Sequence, residues 1–164
     1  MKLRRFKLCA KNVPFCKENH LSEKAKELAQ KVAEAMNRTD YTALALGMKI
    51  VDVDREYAKL QLRVQKDMLN GLGICHGGTT FSLADTAFAY ACNSENHKTV
   101  ALTCQINFLA PAYENDLLTA TAVVIKSGRT GVYDVTVINQ NDAIIALFRG
   151  TSHRTKDKII ELDD

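Results

Sequence analysis

Asn70-Gly71-Leu72-Gly73-Ile74-Cys75-His76-Gly77-Gly78-Thr79-Thr80-Phe81-Ser82-Leu83-Ala84-Asp85-Thr86-Ala87-Phe88-Ala89-Tyr90-Ala91-Cys92-Asn93-Ser94 is the stretch that decides the reading of this chain. A glycine-rich loop carrying one Asn and one His runs straight into a helix of small residues. The start of a helix offers free backbone N–H groups and the positive end of a dipole, which suits an oxyanion or a polarised carbonyl. Asp85 then stands alone among alanines and aromatics, where a carboxylate needs a reason such as general base or nucleophile. The segment reads as an active site. Ala84, Ala87, Ala89 and Ala91 make the helix slim, and Phe81, Leu83, Phe88 and Tyr90 fill the space around it. A sheet can therefore wrap closely about it. Asp85 lies eight residues beyond Gly77, about 12 Å along the axis at the standard helical rise. One reacting carbonyl cannot touch both in the same copy. Either only one of the two is catalytic, or two copies contribute one each to a shared site; the second is expected, which implies an obligate dimer with paired sites at its interface.

Outward from this helix the pattern divides cleanly. Ser22–Met36 places Ala25, Leu28, Val32 and Met36 on one face of a helix. A short second helix is expected from a cap at Thr39 or Asp40 to Leu46, with Gly47 just past its end. Ala58, Leu60, Leu62 and Val64 alternate with Lys59, Gln61 and Arg63, the mark of a half-buried strand. Ile50–Val53 is its expected hairpin partner, turned near Asp54–Glu56. After the helix over 78–93, strands are expected at 100–109, 117–126, 132–139 and 143–151, with Ser127–Gly131 as a turn. Short spacings favour antiparallel hairpins. The fold class is α+β, with one long helix covering one face of the sheet.

The chain has 164 residues, enough for one domain with a real core. Its net charge of +3 is local in origin. Residues 1–17 hold six basic side chains and no acid, and the remainder carries 16 basic against 19 acidic residues, a net −3. The body thus offers no basic surface for nucleic acid. Residues 1–20 are expected to form a flexible basic extension, 21–155 the folded domain, and 156–164 a charged tail. Cys9, Cys16, Cys75, Cys92 and Cys104 form no Cys-x-x-Cys pair and no metal-ligand spacing with histidine. They read as reduced thiols of a cytoplasmic protein with no metal site. No apolar run is long enough to span a membrane, and no secretory signal is expected.

Several segments together resemble the hotdog-fold acyl-CoA thioesterases of the phenylacetate-degradation (PaaI) type. They are Met68-Leu69-Asn70, Cys75–Gly78, Phe81–Asp85, Ala91–Ser94, Gly131–Asp134 and the late run Ala146–Gly150 with Ser152–Arg154. The resemblance spans about residues 40–155. It implies a curved antiparallel sheet wrapped around the long central helix. It also implies hydrolysis of aryl-CoA (phenylacetyl- or hydroxyphenylacetyl-like) or short-to-medium acyl-CoA thioesters. Asp85 matches the family's catalytic carboxylate, acting as general base or nucleophile. Asn70 matches the residue that orients the nucleophile or thioester from the neighbouring subunit. Gly77 matches the amide that polarises the thioester carbonyl, and His76 the position beside it. Thr103 falls where relatives carry a hydroxyl near the catalytic water. Arg129, Thr130 and Gly131 resemble the turn that meets coenzyme A. The family implies a homodimer with shared sites, associating to a homotetramer, and no cofactor beyond the coenzyme A of the substrate.

Blander readings stand beside these. Ser82 or Thr86 can satisfy Asp85. Asn70 in Asn-Gly is a common turn residue, and His76 can simply cap the helix. Cys75 and His76, being adjacent, diverge and make a poor nucleophile pair. Phe81, Phe88, Tyr90 and Phe108 fit a core as well as an aromatic pocket. A hotdog enoyl-CoA hydratase needs a His close to the Asp, which the helix of Asp85 lacks. A non-catalytic acyl-CoA-binding protein has no need of the Asn70, Gly77 and Asp85 set.

Overall fold

Ala58, Leu60, Leu62 and Val64, the alternate positions expected to face inward, are all buried to 1% exposure or less. They belong to the computed structural model of the chain, which describes residues 23–161. The extension expected over residues 1–20, with Cys9 and Cys16, lies outside the described residues. The elements follow the expected order: α1 (Glu23–Asn37), α2 (Tyr41–Ala45), β1 (Lys49–Asp54), β2 (Tyr57–Arg63), α3 (Gly77–Asn93), β3 (Thr99–Phe108), β4 (Leu117–Lys126), β5 (Thr130–Ile138) and β6 (Ile144–Arg154).

The strands form one sheet in the order β1-β2-β4-β5-β6-β3, and every neighbouring pair is antiparallel. Helix α3 touches all six strands, so the sheet wraps around it. The alanines of α3 make this approach possible: Ala84, Ala87 and Ala91 are wholly buried. Burying that apolar face is the main stabilising term, since apolar area removed from water contributes roughly 25 cal/mol per Å². On α1 the buried stripe is Ala29, Val32 and Ala33, with Ala25, Leu28 and Met36 half-buried beside it. The helix is thus rotated slightly from the expected face. Asp40 caps α2 by accepting from the Ala43 N–H at 3.0 Å. Gly47 follows with φ +66°, a left-handed conformation that glycine adopts without strain.

Two boundaries differ from the sequence pattern. Thr130 and Gly131 already pair with His153 and Ser152 and belong to β5 rather than to the turn. Strand β6 runs on to Arg154 because β3 supplies partners that far. Beyond it, residues 156–161 pack against the end of α3. Asn96, 2% exposed, holds them by accepting from the Ile159 and Ile160 N–H groups and donating to the Ile160 carbonyl at 2.9 Å.

The tightest packing lies where β6 crosses α3. Phe88 sits at 5.5 and 5.8 Å from the rings of Tyr133 and Phe148, and Gly150 lies directly against it. A Cβ on Gly150 would stand 2.8 Å from the Phe88 ring. Gly150→Ala is therefore expected to destabilise the fold by about 1–3 kcal/mol through overpacking, read as a lowered urea midpoint.

Candidate active site

The site begins with the turn at Asn70. Its side-chain Oδ1 accepts from the Leu72 N–H at 2.8 Å and the Ile74 N–H at 3.4 Å, and its own N–H donates to the Ile74 carbonyl at 2.8 Å. Gly73, at φ +73°, closes this turn. The carboxamide Nδ2 of Asn70 has no partner among the described residues. Onward, the loop is moored by hydrogen bonds from Cys75 N–H to the Ala112 carbonyl and from His76 N–H to the Met68 carbonyl, both 2.8 Å.

His76 then caps α3. Its backbone is extended, and its Nδ1 accepts from the Gly78 N–H at 2.9 Å. That bond assigns the ring proton of the neutral imidazole to Nε2. The His76 carbonyl accepts from the Thr79 and Thr80 N–H groups at 2.9 and 3.3 Å. Of the four amides that open the helix, Gly77 N–H alone has no acceptor among the described residues. It points the dipole end of a 17-residue helix at whatever it meets. Gly77 and Asn70 share a cavity of about 500 Å³ with Cys75, Thr80, Phe108 and Pro111. The Phe108 ring lies over Gly77, so closely that a Cβ there would be 3.1 Å from the ring. Cys75 stands in the cavity wall, where burial pushes its thiol up and the Thr80 hydroxyl, 3.7 Å from its sulfur, opposes this.

Asp85 does not line this cavity. It sits two turns further along α3, half-buried, at the open edge of the sheet formed by β3. Its partner is neither Ser82, whose hydroxyl donates to the Gly78 carbonyl at 2.9 Å, nor Thr86. Instead the Cys104 thiol donates to Asp85 Oδ1 at 3.6 Å. Burial pushes the Asp85 carboxyl above the usual carboxylate range; the Cys104 bond opposes this, and the nearby Asp40 carboxylate adds to it. Thr103 is exposed on β3 and, as the strand neighbour of Cys104, faces the other side of the sheet.

The turn residues lie elsewhere. The Arg129 carbonyl accepts from the Arg154 N–H at 2.8 Å, and Arg154 is paired to Glu95 just past the C-terminus of α3. Arg129 and Thr130 are exposed, and neither side chain has a hydrogen-bond partner among the described residues. Gly131 is buried, and a Cβ there would meet the Tyr133 ring at 2.8 Å and the Ser152 hydroxyl at 3.0 Å. Within one chain the structure thus unites Asn70, His76 and Gly77 at one end of α3. Asp85 stands at its middle, and the Arg129 turn at its far end. Of the four aromatics, Phe88 and Tyr90 are core, Phe81 packs edge-on to Phe148 at 5.6 Å, and only Phe108 lines the cavity. The Cys104 contact and the cover of Gly77 by Phe108 are legible only in the tertiary structure, because neither pair is close in sequence.

The raised Asp85 carboxyl has a testable sign. A folded-state pKa above the unfolded value favours the protonated form, so the ionised group costs stability as pH rises through that window. Asp85→Asn is therefore expected to melt higher than the parent at neutral pH. The difference should vanish below the ordinary aspartate range, about pH 3.9, in melting curves taken from pH 3 to 8.

Among known proteins, a thioesterase superfamily model matches residues 72–146. The acyl-coenzyme A thioesterase PaaI of Escherichia coli K12 is 52% identical over 123 residues, covering 74% of this chain and 88% of that protein. The solved structure of E. coli PaaI, from the phenylacetic acid degradation operon, aligns with a TM-score of 0.81 at 48% identity, over 82% of this chain and 98% of that one. A Streptococcus mutans UA159 protein solved with acetyl CoA aligns with a TM-score of 0.65 at 28% identity, over 68% and 90% of the two chains.

Proposed function

From the premise that this chain belongs to the thioesterase superfamily, as a hotdog-fold acyl-CoA thioesterase of the PaaI type, we propose how it divides the work between two copies. One observation carries the reading. The unpartnered Gly77 N–H and the Asp85 carboxylate lie on the same helix, about 12 Å apart by helical rise, and open onto different surroundings. A second copy must bring its Asp85 to this Gly77. Strand β3 is the edge across which it docks: Val100, Leu102 and Phe108 are 50%, 58% and 53% exposed there, an apolar edge strand of the kind a monomer avoids. A two-fold pairing along this edge sets the two α3 helices antiparallel. It thereby places the partner's Asp85 and Arg129 turn on the side of this Gly77.

The thioester carbonyl then accepts from Gly77 N–H, with the Asn70 carboxamide beside it, and the partner's Asp85 acts on the opposite face. Thioester resonance is weak, so one base and one or two oxyanion donors suffice, without a metal or cofactor. As base, Asp85 takes a proton from water while the water oxygen bonds to the carbonyl carbon. As nucleophile, its carboxylate oxygen does so itself and water releases the mixed anhydride. In both cases the C–S bond breaks, and the sulfur leaves as coenzyme A thiolate and takes up a proton. Arg129 and Thr130, exposed and unpaired among the described residues, are the contacts for the coenzyme A arm, while Thr103, turned to the other face of its strand from Cys104 and Asp85, takes no part in activating the water. The S. mutans relative, solved with acetyl CoA, supports this substrate class. The largely apolar cavity of about 500 Å³ suits an aryl or a short-to-medium acyl group. Dimers pair further into a tetramer, as the resemblance implies. The free thiols of Cys75, Cys92 and Cys104 accord with a cytoplasmic setting.

The test is free-thiol release against a panel of phenylacetyl-, hydroxyphenylacetyl-, benzoyl-, butyryl-, octanoyl- and palmitoyl-CoA. The expected result is turnover on the aryl or the short-to-medium esters and little on palmitoyl-CoA. Binding of the esters with no thiol released from any of them would overturn it.

A further inference from the structure

Asp85 has a single hydrogen-bond donor among the described residues, and that donor is a thiol. Cys104 Sγ stands 3.6 Å from Oδ1, while no donor reaches Oδ2. Three other polar groups nearby are committed. Ser82 donates to the Gly78 carbonyl, the Cys92 thiol to the Ala89 carbonyl at 3.5 Å, and Asn93 Nδ2 to the Ala89 and Thr99 carbonyls at 2.9 and 3.1 Å. Strand β3 reaches its place through a register shift between Ala101 and Thr103, just before Cys104, and a bulge of this kind re-aims the side chains that follow.

We propose that Cys104 is a positioning residue for the thioesterase reaction, its thiol holding one oxygen of Asp85 so that the other faces the water or the thioester. The proposal rests on the reading of Asp85 as the reacting carboxylate and goes beyond it. A weak donor is the right kind here. A hydroxyl or ammonium at this distance would stabilise the charged carboxylate more strongly and make it a poorer base, and an apolar side chain would leave it free to rotate. The thiol orients while leaving most of the basicity in place. The groups facing Asp85 are Cys104 from β3, Asp40 from the cap of α2, and Cys92 two turns along α3. Asp40 carries a like charge and Cys92 is held neutral by burial, which pushes its thiol to about 12. Neither orients the carboxylate.

The experiment compares Cys104→Ala, Cys104→Ser and Asp85→Asn in the full chain, on whichever acyl-CoA the enzyme turns over fastest. Activity needs Asp85 ionised, so the acid limb of the pH–rate profile reports its carboxyl. Removing the donor raises that carboxyl, so Cys104→Ala should lose activity at a higher pH than the parent, with kcat about tenfold lower on the plateau. Cys104→Ser, the stronger donor, should recover kcat to within a few-fold while its acid limb moves below that of the parent. The expected order of the acid limb is therefore Ala, then Cys, then Ser. A merely structural cysteine would lower thermal stability in both variants and leave the limb where it was. An unmoved acid limb in Cys104→Ala and Cys104→Ser, with Asp85→Asn inactive, overturns the proposal alone. Full activity in Asp85→Asn overturns the reading on which it rests.

Discussion

Gly77→Pro is expected to lower kcat about 10²–10³-fold, the usual cost of losing one oxyanion-hole donor. The substitution is unusually clean at this position. Gly77 is the first residue of α3, where proline is favoured because its amide has no helical partner to lose. The preceding residue, His76, is already extended at φ −60°, ψ 133°, the conformation a following proline requires. What disappears is the one N–H in the first turn that has no acceptor among the described residues. The control is Gly77→Ala, which keeps the N–H and asks only that the Phe108 ring yield by a few tenths of an ångström. Near-parent kcat in alanine and a large loss in proline, both folded by circular dichroism, is the expected pair of results. Equal losses would assign the effect to crowding of Phe108 instead.

A second large effect is expected from mixing defective chains. Asp85→Asn should lower kcat about 10²–10⁴-fold, the range for loss of a positioned acid or base. Asn70→Ala should damage the other half of the site. If each site takes Asp85 from one copy and Asn70 with Gly77 from the other, a heterodimer of the two variants carries one intact site and one doubly broken one. Statistical reassembly of equal amounts should then recover about a quarter of the parent activity from two nearly inactive preparations, as the two-fold geometry of a shared interface requires. The readout is thiol release after denaturation and joint refolding, against each variant refolded alone. Activity no greater than the mean of the two would place both groups in a single-chain site, against the 12 Å that helical rise puts between them.

The physical reason for this division lies in α3 itself. A helix that must be slim enough for six strands to surround it cannot bend its start back toward its middle. Two groups eight residues apart stay apart. On the proposed division each half of the site is held rigidly on one element, and association of two copies completes it.

Much of this was legible in the residues. Period-two alternation in β2 and the alanines of α3 identify their buried faces directly, because burial and period are two expressions of the same geometry. The caps at Asp40 and His76 follow from short-range chemistry that needs no tertiary context. Harder to read were features set by distant neighbours. Gly131 looks like part of a turn, yet it is buried, and Tyr133 and Ser152 crowd the space a side chain would take. Phe88 and Tyr90 have the same chemistry as Phe108, and only the path of the sheet puts two of them in the core and one over Gly77. Asp85 has Ser82 and Thr86 as its sequence neighbours, but the helix directs Ser82 back to its own backbone and β3 brings in Cys104.

The sequence by itself determined the order of elements, the wrapped helix, the start of α3 as an anion-favouring end, and the solitary carboxylate on it. All of these depend on periodicity and on groups within one turn of each other. Only the tertiary structure decided which oxygen of Asp85 is held and by what, which amide of the first turn is left free, and which aromatic covers it. Those are contacts between residues 19 and 31 positions apart, and such contacts are chosen by how the sheet closes on the helix.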